Sequence, residues 1–201
     1  MPNHQAKGDL YMSAAKETFA AAATVNGINV TALGETIAAI KTNPELGKFN
    51  FRATNHWLGA EKTRTTIRDF TGALQEHRTD SKGFTVDTGE PPVLLGIDHA
   101  PNAGEWLLHA LIGCVTGTII YHAAARNIVI DAIDSKIDGD VDLRGFLGLS
   151  DQVRKGYTVI RVRMRVKTSA ALAVIRELAT FSPMLDVVSR SVPVSLDIET
   201  C

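Results

Sequence analysis

Between Gly104 and Arg126 the chain carries Trp106, Leu107, Leu108, Leu111, Ile112, Val115, Ile119 and Ile120, which at helical spacing fall on every side of the helix rather than along one stripe. A helix apolar all round has no face to offer water, so this one is predicted to be the buried spine of the fold. The strands expected on either side of it have one apolar face each. That pattern predicts α+β packing, because a parallel doubly wound sheet alternates strand and helix regularly and buries both faces of its strands. A single curved sheet does not reach all sides of such a helix, and a second copy of the chain is the expected cover.

After the helix come two segments of matched chemistry. In the first, Ile133, Ile137, Val141 and Leu143 stand opposite Asp134, Asp138, Asp140 and Asp142; in the second, Ile160, Val162, Met164 and Val166 alternate with Arg161, Arg163, Arg165 and Lys167. Opposite charges on the outward faces predict cross-strand pairing, which accounts for the arginines as well as an anion-binding stripe would. Ahead of the helix, Phe49–His56, Thr63–Phe70 and Gly83–Val86 read as three antiparallel strands, ended by Asp87-Thr88-Gly89-Glu90-Pro91-Pro92. Ser169–Thr180 reads as a helix capped by Ser169, Met184–Ser189 as a short helix after Ser182-Pro183, and Val192–Ile198 as a final strand. At the other end, an Ala-rich helix over Ser13–Thr24 precedes a second one that Asn29 caps and Asn43-Pro44 ends, with Val30, Leu33, Ile37 and Ile40 on one face. Residues 1–48 are thus an expected N-terminal helical extension, and residues 49–201 the main domain.

The 201 residues, 45% hydrophobic and 21% charged, suffice for one substantial core. A formal net charge of −1 supplies no excess positive charge to draw phosphate backbones, so nucleic acid is not an expected partner. No apolar run is read as approaching the roughly eighteen residues a membrane span needs. Lys16 and Glu17 interrupt the Ala-rich stretch that would otherwise resemble a signal peptide. The expectation is a cytoplasmic protein with no membrane partner. Two cysteines, Cys114 and Cys201, make neither a disulfide framework nor a zinc knuckle, and the six histidines are scattered, so no metal and no cofactor are expected.

Cys114 lies in the run Pro101-Asn102-Ala103-Gly104-Glu105-Trp106-Leu107-Leu108-His109-Ala110-Leu111-Ile112-Gly113-Cys114. By burial statistics alone a free cysteine is a small hydrophobe. This one sits more than two turns into its helix, beyond the reach of the macrodipole, so a reactive thiolate there requires a cation from elsewhere.

That run, with Tyr121-His122-Ala123-Ala124-Ala125-Arg126 and Ser182-Pro183 followed by Val192-Pro193-Val194, resembles the OsmC/Ohr family of osmotically inducible and organic hydroperoxide resistance proteins over about residues 49–199. The resemblance implies an OsmC-like fold: an intertwined homodimer with two long central helices wrapped by antiparallel sheets from both chains and an active site at each interface. It implies a thiol-dependent peroxidase that reduces organic hydroperoxides, antioxidant chemistry suited to an oxidative stress response. Cys114 matches the peroxidatic cysteine. Among Arg52, Arg64 and Arg68, Arg64, following Gly59-Ala60-Glu61-Lys62-Thr63, best matches the family's thiolate-holding arginine; an exposed strand residue is its structural alternative.

Two departures from the family pattern stand out. Ser182 occupies the place of the second, resolving cysteine, which excludes an internal disulfide cycle through that position and implies an external thiol reductant. The glutamate found ten residues before the cysteine is Gly104 here, and Glu105 follows it. Nine helical steps put Glu105 about 180° from Cys114 and roughly 13 Å along the axis, so it is expected to favour the exposed N–H groups at the helix start or to reach the other chain's site. Cys201 is a substitute resolving thiol or an exposed terminal one with no role. The rival reading is a non-catalytic small-molecule-binding protein on the same fold; thiol transfer or hydrolysis is a third, for which no general base is placed.

Overall fold

The computed structural model describes residues 23–200. The helix expected over residues 13–24 falls almost wholly outside them, as does Cys201. Thr24 itself is strand, not helix: β1 (Thr24–Val25) and β2 (Ile28–Asn29) form a hairpin. Its turn is Asn26-Gly27, with φ of 54° and 78°, the paired positive values that a two-residue hairpin requires and that Asn-Gly accepts most readily. The Asn26 side chain ties this piece to the body: Nδ2 donates to the Ile128 carbonyl at 2.9 Å and Oδ1 accepts from the Ile130 N–H at 2.8 Å. Asn29 then caps α1 (Val30–Thr42), its Oδ1 accepting from the Ala32 N–H at 3.0 Å, and Asn43-Pro44 ends it in a 3₁₀ turn. The extension is therefore hairpin plus helix where it is described.

Four strands, not three, follow: β3 (Phe49–Gly59), β4 (Lys62–Gly72), β5 (Gln75–His77) and β6 (Phe84–Thr88). All pair antiparallel with β4, β3 on one edge, β5 and β6 sharing the other. The short β5 escaped the sequence reading because Gln75-Glu76-His77 has no apolar alternation. Phe49, Phe51 and Phe70 gather on this sheet, and Arg78 lies over Phe70 and Phe84, yet Phe51 and Phe84 remain largely exposed. The sheet is an arm, anchored to the body at its Thr88 end by the Gly89 N–H to the Pro101 carbonyl (3.3 Å) and Trp106 Nε1 to the Asp87 carbonyl (3.0 Å).

The spine is α2 (Ala103–Ala125), opened by a capping box: Asn102 Oδ1 accepts from the Glu105 N–H and the Glu105 carboxylate accepts from the Asn102 N–H, each at 2.9 Å. One correction concerns membranes. An 18-residue stretch of this helix has mean hydropathy 1.5, so by length and composition it is long and apolar enough to cross one, contrary to the sequence expectation. In the fold its Leu111, Val115, Ile119 and Ala123 are core, as expected for the central helix of an α+β domain.

β7 (Ala132–Val141) and β8 (Tyr157–Lys167) form an antiparallel hairpin packed on α2. Leu143, expected in the strand, instead begins α3 (Leu143–Phe146), which Asp142 caps. The register sets Asp138 opposite Arg161 and Asp134 opposite Arg165, and Arg161 bridges Asp138 and Asp140 at 2.6 and 2.7 Å, as the charge pattern predicts. Arg163, however, lies opposite Lys136, so the matched row is interrupted by a like-charged pair. In α4 (Leu172–Ala179) Ile175 and Leu178 enter the core. The expected Ser169 cap is corrected: Ala171 occupies the cap position, and the preceding turn is closed by Thr168 Oγ1, which accepts from the Ala170 N–H and donates to the Val129 carbonyl. α5 (Pro183–Ser189) is capped by Ser182.

The final strand predicted over 192–198 is not formed. Those residues form no regular element and pair with no strand, and Val194, Leu196 and Ile198 are 76–83% exposed. Alternation selects a strand only where a neighbouring edge completes its hydrogen bonds, and no strand of the described chain pairs with this segment.

Candidate active site

Cys114 lies midway along α2, half-buried, and its partner comes from the elbow between α4 and α5. Ser182 is 1% exposed, and its Oγ donates to Cys114 Sγ at 3.3 Å. The same oxygen accepts the Leu185 N–H at 3.3 Å, so the helix cap consumes a lone pair and leaves the hydroxyl proton for sulfur. Pro183 at the first helical position fixes the backbone that aims it.

The adjoining residue, Phe181, braces this elbow against α2. Its ring stacks on His122 at 4.4 Å and 14°, Arg126 lies over it at 6.0 Å, and Arg126 pairs with Glu177 at 3.0 Å. His122 titrates below the ordinary imidazole range because burial disfavours its cation and Arg126 adds repulsion. An apolar cleft of about 480 Å³ runs between α2, β8, α4 and α5, lined among others by Val115, Ile119, Met164, Ile175 and Leu185; Val115 follows Cys114 in α2, but neither Cys114 nor Ser182 lines the cleft.

The two remaining sequence candidates gather elsewhere, at the start of α2. Arg64 lies on β4 directly opposite Asp87 of β6, donating from Nε and Nη2 to its two carboxylate oxygens at 2.7 and 2.8 Å. That hydrogen bonding, with the charges of Arg64 and His99, holds Asp87 below the usual carboxylate range. Glu105 is occupied by the capping box. Neither makes a polar contact with Cys114 in the described chain; nine residues at about 1.5 Å each separate Glu105 from the thiol. The space that a side chain at position 104 would enter holds the Tyr157 hydroxyl, 2.8 Å from where its Cβ would stand. Burial, and secondarily Glu105, raises the Tyr157 phenol above its ordinary value. Among the described residues no cluster of His, Cys, Asp and Glu is suited to a metal.

Asp87, Tyr157 and Phe181 were not singled out from sequence. Asp87 reads there as the start of a turn; only its strand register with Arg64, twenty-three residues away, reveals the pair.

A thiol met by a hydroxyl on a helix that α4, α5 and a two-stranded sheet pack against defines a class, and the comparisons agree. A family model described as OsmC-like protein matches residues 96–197, about half of the chain, and the chain belongs to this family. No curated protein matches it. Among solved structures it is similar to an OsmC like protein from Mycoplasma pneumoniae, with 14% identity and a TM-score of 0.53 over 71% of this chain and 89% of that one. It is also similar to an OsmC-like protein of unknown function from Vibrio cholerae, with 12% identity and a TM-score of 0.51 over 71% and 93%. An organic hydroperoxide resistance protein OsmC from Legionella pneumophila aligns at 14% identity with a TM-score of 0.48 over 71% and 90%. At these identities the likeness is one of fold.

Proposed function

We propose that this protein is a thiol-dependent peroxidase that reduces organic hydroperoxides through Cys114, working as a cytoplasmic homodimer and recycled by an external thiol. The observation that carries this reading is the buried Ser182 hydroxyl directed at a half-buried thiol. The Cys114 thiolate attacks the terminal oxygen of ROOH; the O–O bond breaks, sulfur becomes a sulfenic acid, and the departing alkoxide takes a proton to leave as ROH. A small thiol then condenses with the sulfenic acid, releasing water, and a second thiol reduces the mixed disulfide back to Cys114 and an external disulfide. Ser182 steadies sulfur in both states, since its hydroxyl donates to thiolate or accepts from S–OH. The apolar cleft that includes Val115, the residue after Cys114, suits the carbon of alkyl and aryl peroxides better than it suits hydrogen peroxide.

The dimer is supported by three features of the described chain. The arm leaves Phe51, Trp57 and Phe84 exposed, the 192–198 segment alternates without a partner, and Gly113 and Gly117 share the open side of α2, with space beyond each where a side chain would stand. Two helix-interior glycines cost stability that nothing among the described residues repays, and close approach of a second helix explains them. In that dimer Arg64 of a second copy supplies the cation that Cys114 lacks among the described residues of its own chain, and Glu105 at the start of that copy's α2 accompanies it.

The test is to treat the protein with cumene hydroperoxide, trap sulfenic acid with dimedone, and compare the rate with Cys114→Ser. Labelling confined to Cys114 and much faster than that of free cysteine is expected. A rate no greater than that of free cysteine refutes the peroxidase and leaves the non-catalytic binding protein.

A further inference from the structure

We infer that Asp87 is a positioning residue for Arg64, gripping one edge of the guanidinium so that the opposite edge is presented to the anion at the reacting sulfur; this rests on the role given to Arg64 above. A guanidinium offers two forked edges, one formed by Nε with an Nη and the other by the two Nη groups. Asp87 takes the first, at 2.7 and 2.8 Å, and Nη1 donates to no acceptor among the described residues. The Arg64 side chain is 51% exposed against 30% for Asp87, so the guanidinium side chain is the more accessible of the pair.

The neighbouring arginines sharpen the contrast. Arg52 spends both terminal nitrogens on Thr71, Glu76 and Asp69, and Arg68 only leans on Asp69 at 3.5 Å. Of the three, Arg64 alone combines a two-bond grip with an open edge. Its grip is also anchored: the Asp87 carbonyl accepts from Trp106 Nε1 in the first turn of α2, and the Gly89 N–H bonds to Pro101 just ahead of that helix. The Asp87 backbone is thus held by strand register with Arg64 and, through its carbonyl, tied to the helix. The charged and titratable groups around it are Arg64 on β4, His99 in the loop ahead of α2 and, behind Trp106, His109 on α2.

The sign of one measurement separates positioning from mere charge neutralisation. Dimedone trapping after cumene hydroperoxide is followed from pH 5 to 9 for the parent, Asp87→Asn, Asp87→Glu, Arg64→Ala and the double variant Asp87→Asn/Arg64→Ala, with thermal unfolding confirming folded protein. Positioning predicts that Asp87→Asn moves the half-maximal pH upward, with a roughly tenfold loss of rate on the acidic side. Asp87→Glu recovers part of it, and the double variant is no slower than Arg64→Ala. A carboxylate that only cancels charge gives the reverse, because removing it strengthens the field of Arg64 and moves the half-maximal pH down. A downward shift or none, with Arg64→Ala still impaired, overturns the inference alone. An unchanged Arg64→Ala profile overturns the role of Arg64 and the inference with it. Should Asp87→Asn fail to fold, Asp87→Glu carries the test: it keeps the charge but moves the fork by one methylene, so a rate between those of the parent and Arg64→Ala is expected, and a parental rate is fatal.

Discussion

Ser182→Cys turns the hydroxyl beside Cys114 into a test of the site's geometry. Oγ and Sγ stand 3.3 Å apart, and a disulfide needs sulfurs at about 2.05 Å, so side-chain rotation and a small elbow movement suffice to close the gap. Once peroxide has oxidised Cys114, the introduced thiol attacks the sulfenic sulfur, expels water and closes a loop across a sequence separation of 68. Loop-closure entropy for that length corresponds to about 4 kcal/mol of stabilisation, while losing the Ser182 cap on Leu185 costs about 1 kcal/mol. The oxidised variant should therefore exceed the parent by about 3 kcal/mol, and its own reduced form by about 4 kcal/mol, the latter a rise in Tm on the order of 10 °C. Intact mass after one equivalent of cumene hydroperoxide should show the loss of two hydrogens, and thermal unfolding with and without dithiothreitol should show the shift. Sulfenic or sulfinic acid accumulating at Cys114 with no disulfide would refute the claim that the residue at 182 is within reach of the oxidised sulfur.

Leu178 is fully buried between α4 and the α2 core, and Leu178→Ala should lose about 2–5 kcal/mol in urea unfolding. Because His122 titrates lower in the folded chain than the ordinary imidazole value of about 6.5, the unfolded chain binds its proton first as pH falls. Stability should be constant above that value and decline below it until the folded-state value is passed. His122→Phe keeps the stack on Phe181 and should remove this part of the slope, as Tm measured from pH 8 to 5 will show; an unchanged slope dissociates His122 from it. A Cβ at position 117 meets no atom within 4 Å in the described chain and leucine improves helix propensity, so for Gly117→Leu a loss of dimer in sedimentation with an intact circular dichroism spectrum is expected if that side of α2 receives the second copy.

The central helix, its approximate ends and the paired strands after it were legible because their signals are local: all-round apolarity, and alternation of two opposite charges. What escaped was non-local or context-dependent. The 192–198 segment has the alternation of a strand but no partner edge in the described chain, and a period-two pattern does not say who the neighbour is. Arg163 belonged to a charge row in sequence, and only the register put Lys136 opposite it. Ser182 was marked as the place of a missing cysteine, whereas its second task as the cap of α5 follows from Pro183 and the Leu185 N–H. Asp87 looked like a turn residue until two strands were aligned.

The proposed chemistry is divided within a single chain, and that division yields its own prediction. Arg64 and Glu105 are held at the first turn of α2, whereas Cys114 and Ser182 meet nearly three turns on, a separation along the axis that no side chain spans. If a second copy completes the site, damage to the two halves is complementary. Cys114→Ser copies lack the sulfur but keep Arg64, and Arg64→Ala copies have the reverse. Refolded together in equal amounts, half of the dimers are mixed and half of the sites in those are intact, so peroxide-dependent labelling should recover to roughly a quarter of the parent rate. If Arg64 serves the thiol of its own chain, no mixed dimer contains an intact site, and the mixture will label no faster than the average of its two components.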